Sequence, residues 1–174
     1  VYDENAIAVQ EMVFVMDRFG YCKLLDKATY ERNQETVDTE QVHVIRCLNT
    51  DKICFFTALG NMYQVKAADL PAGKLRDKGV PIENLSKFDG AKDRIVYLTS
   101  AQSMKGKVFV FATKMAMVKR VSGEEFDTNN RAVAATKLQE GDQLAAVIPV
   151  GDETEAVIQT AGGVFLRFPL EEIS

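Results

Sequence analysis

The sequence predicts an all-β fold built from propeller-like blades, and three observations support this. Its apolar runs are short, bounded by turn residues, and lack the 3.6-residue period of an amphipathic helix. A layout of strand, tight turn, strand and polar exit occurs four times. The turn positions are separated by about 40, 56 and 47 residues, a spacing typical of propeller blades. These positions are Gly20, Gly60, Ala116 and Gly163.

The first two copies of the layout are separated by a polar segment and a strand. Residues 11–25 form the first copy, with a turn at Arg18-Phe19-Gly20, where glycine adopts positive φ without steric cost. The polar segment 26–39 is expected to leave the sheet, and residues 42–48 to form a strand. The second copy, residues 52–66, turns at Leu59-Gly60-Asn61.

The second half of the chain repeats the pattern after a basic connector rich in proline and glycine, residues 67–85. Residues 94–98 begin a strand. The third copy, residues 107–126, contains the unbroken run VFVF, which fits a strand covered on both faces. Residues 131–136 lead onward. The fourth copy, residues 143–174, contains a strand, an acidic hairpin turn, a second strand, a glycine turn and a return strand.

The third turn differs from the others because alanine replaces glycine. A left-handed conformation at Ala116 would cost about 1–2 kcal/mol. The sequence therefore predicts either a different turn geometry or a strained one at this position.

The four copies predict four-stranded antiparallel blades in a single partial domain over residues 1–174. About three and a half blades fit this length, whereas closed propellers have about 4–8. The disc is therefore expected to be incomplete: either the ring continues in a longer protein, or the chain is an open arc with an exposed edge. The approximate blade cassettes overlap through strand exchange and cover residues 11–66, 52–120, 94–136 and 143–174.

The composition excludes several kinds of site. No apolar run approaches the length of a membrane span, so no membrane partner is predicted. His43 is the only histidine, which leaves little basis for histidine metal sites or Ser/His catalysis, and it is expected to pack beside a strand. The three cysteines form no CxxC pair and are expected to be reduced and packed as small hydrophobic residues.

The charge is unevenly distributed along the chain. The net charge is −5 over residues 1–40, +2 over 41–90, +3 over 91–130 and −4 over 131–174. The basic middle could bind a polyanion between acidic ends. On charge alone, an ordinary mixed surface explains the pattern equally well.

Six phrases in the sequence resemble the C-terminal domain shared by the A subunits of DNA gyrase and the related topoisomerase IV. They follow the family's order and spacing over residues 11–173. Each phrase alone is a generic hairpin, and their common register makes the resemblance specific. They are VMDRFGYCKLLDKATYE, FFTALGNMYQVKAADLP, GKLRDKGVPIENL, FATKMAMVKRVSGEEF, LQEGDQLAAVIPV and QTAGGVFLRFPLEEI.

The resemblance implies a β-pinwheel, a six-bladed disc in the full domain, whose basic rim binds and bends duplex DNA for a type IIA topoisomerase. It also implies partners: an ATPase subunit, together with the rest of the A subunit, in a bacterial, cytoplasmic, nucleoid-associated enzyme. The holoenzyme would use ATP and magnesium. Its catalytic tyrosine and magnesium carboxylates lie elsewhere in such enzymes, so this chain is expected to carry no catalytic residue, cofactor or metal.

The sequence departs from the family after the first hairpin. The gyrase members carry a glycine-rich basic box of the form QRRGGKG there, which is tied to tight wrapping of DNA. Residues 30–36 of this chain read YERNQET, with one arginine, two glutamates and no glycine. This difference favours a topoisomerase IV-like subunit or a divergent gyrase homologue.

The candidate DNA contacts are cations at equivalent places in the repeat and in the connector, because wrapping needs phosphate contacts along a curved rim rather than base-reading residues. Lys119 and Arg120 match a Lys-Arg position of the family. Ordinary solvated hairpin cations are the alternative interpretation of each residue. The candidates are Arg18, Lys23, Lys66, Lys74, Arg76, Lys78, Lys114, Lys119, Arg120 and Arg167.

A second function remains open at this point. A propeller-type scaffold could bind a protein partner through its acidic ends, with only vestigial affinity for DNA. The salt dependence of duplex binding separates the two hypotheses.

Overall fold

The computed structural model describes residues 7–151, 155–159 and 165–173 of the 174-residue chain. Strands dominate this part of the chain, as predicted. In chain order they are β1 (Glu11–Met16), β2 (Tyr21–Asp26), β3 (His43–Leu48), β4 (Lys52–Thr57), β5 (Asn61–Lys66), β6 (Val80–Pro81), β7 (Ile95–Ser100), β8 (Val108–Thr113), β9 (Val118–Ser122), β10 (Ala132–Ala134), β11 (Leu144–Val150), β12 (Glu155–Gln159) and β13 (Phe165–Pro169).

The strands form four antiparallel sheets, which we call blades 1 to 4. Blade 1 has the order β3-β1-β2-β6, and blade 2 the order β7-β4-β5-β10. Blade 3 consists of β11-β8-β9, and blade 4 of the hairpin β12-β13. The central hairpins are the four copies of the layout, and the all-β prediction is confirmed.

Each four-stranded blade exchanges a strand with its neighbour. The outer strand of blade 1, β6, follows the hairpin of blade 2 along the chain, and the outer strand of blade 2, β10, follows the hairpin of blade 3. The inner strands β3, β7 and β11 contact one another in succession, which places β6, β10 and β9 on the outside. The cassette boundaries given above stay predictions.

The hydrophobic core lies between neighbouring blades, because successive side chains of a strand point to opposite faces. In β4, Phe55 packs on the blade 1 side together with Phe14, and its ring lies 5.5 Å from that of Phe88. The next residue, Phe56, points to blade 3, with its ring 5.4 Å from that of Phe111. Both faces of β4 are therefore covered, which explains its unbroken apolar sequence.

The polar segment 26–39 leaves the sheet, as expected, but it is helical. Asp26 caps the first helix by accepting a hydrogen bond from the Thr29 amide at 2.8 Å. Tyr30 and Val37 are the buried residues of this segment and pack against blade 1. The region 30–36, which differs from the gyrase box, lies in these helices. The α-helices in the described residues are α1 (Lys27–Arg32), α2 (Gln34–Glu40), α3 (Ile82–Leu85) and α4 (Ala101–Met104).

The connector between β5 and β7, two strands of blade 2, contributes directly to blade 1. It turns through a 3₁₀ segment, Ala67–Asp69, and then supplies β6, which pairs with β2. Gly79 has φ +82°, and a Cβ atom there would collide with the Cys22 carbonyl. Only glycine combines this φ with such a close approach to the strand.

The remaining composition-based expectations can be compared with the described residues. The three cysteines are buried and unpaired, as predicted, and burial raises the pKa of Cys22 and Cys54 to about 12 and that of Cys47 to about 11. His43 is half-buried in β3, and burial lowers its pKa. No helix in the described part of the chain is long and apolar enough to cross a membrane.

Candidate nucleic-acid interface

The turns of the first three hairpins, which we call tips 1, 2 and 3 (residues 17–20, 57–60 and 113–116), have the same geometry. In each, the amide of the fourth residue donates to the carbonyl of the first, at 3.1, 3.0 and 3.0 Å. That fourth residue has φ +83° at Gly20, +81° at Gly60 and +61° at Ala116. The third tip therefore follows the strained alternative rather than a different geometry. The fourth turn, at Gly163, lies outside the described residues.

The three tips lie on one side of the arc of blades, which we call the tip face. Each inner strand begins beside a tip and is joined to it by a backbone hydrogen bond. The donor and acceptor residues are Val42 and Met16, Ala58 and Arg94, and Lys114 and Gln143. Each inner strand then runs to the opposite end, where a short link leads into the next hairpin. Tips 2 and 3 are also joined through the segment after β10, because the Thr136 amide donates to the Gly60 carbonyl at 3.0 Å.

An aspartate at the start of the inner strand fixes tips 2 and 3. One carboxylate oxygen of Asp142 accepts hydrogen bonds from the amides of Met115, at 3.0 Å, and Gln143, at 2.8 Å. Asp93 binds the amides of Leu59 and Arg94 in the same way, at 3.1 and 2.8 Å. The acid and the tip are distant in sequence, so the contact ties each tip to the inner ring.

Asp142 is ionised despite its burial. Its exposed fraction is 7%, and the loss of hydration opposes the charge. Hydrogen bonds from Thr113 and from the amides of Met115 and Gln143 outweigh this effect and hold the pKa of Asp142 below its usual value. The other oxygen, Oδ2, is buried without a partner among the described atoms.

Most of the predicted cations are exposed, and they fall on the outer strands or the tips. Arg18 and Lys114 are tip residues, and Lys66 ends β5. The connector residues Lys74, Arg76 and Lys78 lie at the outer edge of blade 1, while Arg120 of β9 and Arg167 of β13 are exposed and Lys119 is half-buried. Two described ion pairs, Lys27–Glu11 and Lys92–Asp89, involve none of these residues.

Lys23 is placed differently from the expectation, because its side chain is buried, with 5% exposed. Its ammonium donates to the carbonyls of Lys74, at 3.0 Å, and Leu75, at 2.8 Å, and also to that of Asp77. Loss of hydration lowers the pKa of Lys23, and the charge of Asp77 partly offsets the effect. The residue therefore holds the connector on the sheet and is removed from the set of candidate phosphate contacts.

Blade 2 contains a corresponding contact that brings unpredicted cations together. The Gln64 side chain donates to the carbonyls of Thr128 and Asn130, which fastens the segment before β10 to β5. Lys66, Lys52 and Arg131 line the adjacent groove. Lys52 and Arg131 were not predicted from the sequence. Lys52 lies opposite Lys66 at the ends of the predicted β4–β5 hairpin, whereas Arg131 becomes their neighbour only because β10 pairs with β5.

Lys119 and Arg120 do not form one patch. Lys119 lies opposite Phe111 in the β8–β9 pairing, with its ammonium 5.8 Å from that ring, and Phe111 belongs to the core shared with blade 2. Arg120 lies opposite Val110, which packs towards the other side. Lys119 instead lines a groove with Lys137, a second cation that was not predicted from the sequence.

Two of the exposed candidate cations are held over aromatic rings. The Lys78 ammonium lies 4.1 Å from the centroid of Tyr21, and the Arg18 guanidinium lies 4.7 Å from that of Phe19. Such contacts orient a cation without neutralising its charge, so it can still bind phosphate. Among the described residues, no group of three His, Cys, Asp or Glu side chains could hold a metal ion.

A family profile described as "DNA gyrase C-terminal domain, beta-propeller" matches residues 51–98 and 103–151, more than half of the chain. The chain is 30% identical to the DNA gyrase A subunit of Streptococcus pyogenes serotype M1 over 95% of its length, and 28% identical to that of Mycolicibacterium smegmatis over 97%. It spans about a fifth of the length of these relatives, 22% and 21%.

Solved structures share the fold. The C-terminal domain of a DNA topoisomerase IV superposes with a TM-score of 0.83 at 21% identity, covering 97% of this chain and 54% of that one. For the E. coli ParC C-terminal domain the TM-score is 0.73 at 16% identity, with coverage of 93% and 66%. The architecture is thus that of these C-terminal domains, a β-pinwheel of which about three blades are present. Together, the profile match and the gyrase relatives establish that this chain belongs to the DNA gyrase C-terminal domain family.

Proposed function

We propose that this domain binds duplex DNA along the outer edges of its blades and bends it, as a non-catalytic part of a type IIA topoisomerase of the gyrase or topoisomerase IV kind. Its partners would be an ATPase subunit in the bacterial cytoplasm together with the rest of the A subunit. ATP and magnesium would act on other parts of that enzyme.

One observation carries the proposal: exposed cations recur on the outer edge of three successive blades. The connector cations lie on blade 1, Lys66 and Arg131 on blade 2, and Arg120 on blade 3. Strand exchange builds each complete edge from distant sequence, so the recurrence arises from the fold. We call this series of outer edges the rim.

A rim of this kind can offset the cost of bending DNA. Smooth bending of a short site by tens of degrees costs about 1–6 kcal/mol, which several phosphate contacts must compensate. Cations spread over a curved edge supply such contacts at intervals and release condensed counterions. Lys23 and Gln64 support the rim indirectly, because they hold its segments against the sheets. The rim therefore combines exposed charge with segments that are held in place on the sheets.

The salt dependence of binding tests this proposal. Affinity of the 174-residue chain for duplex DNA should fall linearly on a log–log salt plot, with a slope of about −0.9 for each phosphate contact. Replacing both Lys66 and Arg131 by glutamate should weaken binding and reduce the magnitude of the slope by about 2. The control is Lys105→Glu, at an exposed residue just after α4 and outside the outer strands, and its effect is compared with that of the rim variant per reversed charge.

Two results would contradict the proposal. The first is the absence of duplex binding at low salt by a folded chain. The second is a loss of affinity per reversed charge that is the same in the Lys105→Glu control and in the rim variant, which would indicate binding by overall charge instead of by the rim.

A further inference from the structure

We propose that the tips carry apolar wedges: Phe19, Leu59 and Met115 insert between base pairs from the minor groove where the bound DNA bends. This inference rests on the proposed function and specifies how the tip face takes part in it. The ligand is duplex DNA, and the contact is with its bases rather than with its phosphates.

The three side chains occupy one equivalent position, immediately before the tip residue with positive φ. Their exposed fractions are 69% for Phe19, 48% for Leu59 and 53% for Met115. A single exposed apolar residue on a surface is ordinary. Turn positions favour polar residues and glycine, however, so an apolar residue at the same place in three tips out of three points to a shared contact.

At each tip, one aspartate accepts hydrogen bonds from the backbone of that tip. Asp17 accepts hydrogen bonds from the amides of Phe19, at 2.8 Å, and Tyr21, at 3.1 Å. Asp93 and Asp142 bind the amides of the other two wedge residues, as described above. Each carboxylate is thus used to fix the backbone that carries a wedge.

The cations beside the wedges face outward. Arg18 stacks on the Phe19 ring, and Lys114 directly precedes Met115, and both are exposed. Beside Leu59, Arg94 is exposed, and its backbone carbonyl accepts a hydrogen bond from the Ala58 amide at 2.9 Å. Each wedge therefore has one cation that can bind the phosphates flanking an opened base step. Phenylalanine, leucine and methionine are among the residues that proteins insert into the minor groove in this way.

The distribution of the wedges favours DNA over a protein ligand. A protein interface gathers its apolar residues into one central patch with a polar rim. Here the exposed apolar residues lie at separate tips, and each tip has its own cation. They are Phe19 with Val42 at tip 1, Leu59 at tip 2, and Met115 with Met117 at tip 3. A repeated arrangement of this kind fits a ligand that repeats along its length. The hydrogen bonds to the aspartates also fix the backbone of each wedge residue before DNA binds, so little conformational entropy is lost on binding.

The experiment uses duplexes that contain the fluorescent base 2-aminopurine at flexible TA steps, together with end labels that report bending by energy transfer. The test variant of the 174-residue chain is Phe19→Ser/Leu59→Ser/Met115→Ser. The control variant replaces three equally exposed apolar residues outside the tips, Ile7→Ser/Val9→Ser/Ile148→Ser, whose exposed fractions are 72%, 63% and 54%. Circular dichroism and thermal melting verify that both variants are folded.

We expect the unaltered chain and the control to raise 2-aminopurine fluorescence severalfold and to bend the duplex. The tip variant should bind with a similar salt slope but lose most of the fluorescence increase and part of the bend. If the tip variant unstacks and bends DNA as the unaltered chain does, or if the unaltered chain binds without any fluorescence increase, the wedges do not exist. Loss of binding to the rest of the A subunit, with DNA bending intact, would assign the tips to a protein contact instead. Failure of every folded chain to bind duplex at low salt would refute the proposed function itself.

Discussion

The carboxylate of Asp142 accepts a hydrogen bond from the backbone amide of Met115 at 3.0 Å, although the two residues are 27 positions apart in the chain. This contact joins the tip of blade 3 to the start of its inner strand. Asp93 and Leu59 form the equivalent contact in blade 2. The tips are consequently fixed by the ring of inner strands rather than by their own hairpins alone.

Replacing Asp142 by asparagine should lower the thermal stability of the domain at pH 7 and make that stability less sensitive to acid. Because the pKa of Asp142 is depressed in the folded state, its charge stabilises the fold above the unfolded value near 3.8, and this contribution is lost as the pH falls through the lower, folded value. The difference in melting temperature between the two proteins should therefore shrink below about pH 4. Melting curves between pH 3 and pH 7 measure it.

The exposed Asp127→Asn variant serves as the control for this pH series. A difference for Asp142→Asn that stays constant at every pH would mean that hydrogen-bond geometry, and not the charge, matters at the tip.

Replacing Ala116 by glycine should stabilise the domain by about 1 kcal/mol. Alanine at φ +61° has a left-handed penalty that glycine lacks, and the greater freedom of glycine in the unfolded chain offsets only part of the gain. Urea unfolding measures the change. Gly20→Ala is the reciprocal variant, because an added Cβ there meets nothing closer than an Ile82 methyl at 3.8 Å. It should destabilise by a similar amount, and a gain in stability for Gly20→Ala would contradict this account.

Replacing Lys23 by methionine should destabilise the domain by about 1–3 kcal/mol, because the connector carbonyls lose their buried donor. The salt slope of DNA binding should not change in this variant. Lys78→Met should behave in the opposite way: its stability stays within about 0.5 kcal/mol, and the magnitude of its salt slope falls by about 0.9. Denaturant unfolding and a salt titration on both variants check the pair. A reduced slope for Lys23→Met would show that Lys23 does contact a phosphate, contrary to its buried position.

Charge reversals of Lys119 and Lys137 should have non-additive effects on DNA affinity, whereas those of Lys119 and Arg120 should add. Lys119 and Lys137 line one groove, whereas Arg120 points to the other side of blade 3. Neighbouring sites show non-additive effects, while separated ones add to within about 0.3–0.5 kcal/mol. Double-mutant cycles on DNA affinity measure the two coupling energies. Strong coupling between Lys119 and Arg120 would show that DNA contacts them together, contrary to their placement.

Sequence reasoning predicted the strands and turns well because these depend on local features. Apolar runs, a glycine or strained alanine at each tip and the proline-rich connector all act over a few residues. The helices over residues 27–40 were missed, because their only apolar anchors, Tyr30 and Val37, become meaningful once blade 1 is there to cover them. Of the predicted cations, the buried Lys23 was not distinguished from the exposed ones, and the exposed Arg131 and Lys137 were not predicted.

The sequence alone determined the all-β class, the repeat and the family, since each is encoded in local pattern and in phrases kept in register. Tertiary structure decided which residues share an edge. Strand exchange brings Arg131 to Lys66, directs Lys23 into the carbonyls of a connector some fifty residues away, and anchors Met115 through Asp142. Such pairings depend on which blade receives each strand, and no local preference specifies that. Ala116 shows both levels: the sequence left a different turn geometry and a strained one open, and the φ of +61° shows that the fold imposes the shared tip geometry with its strain.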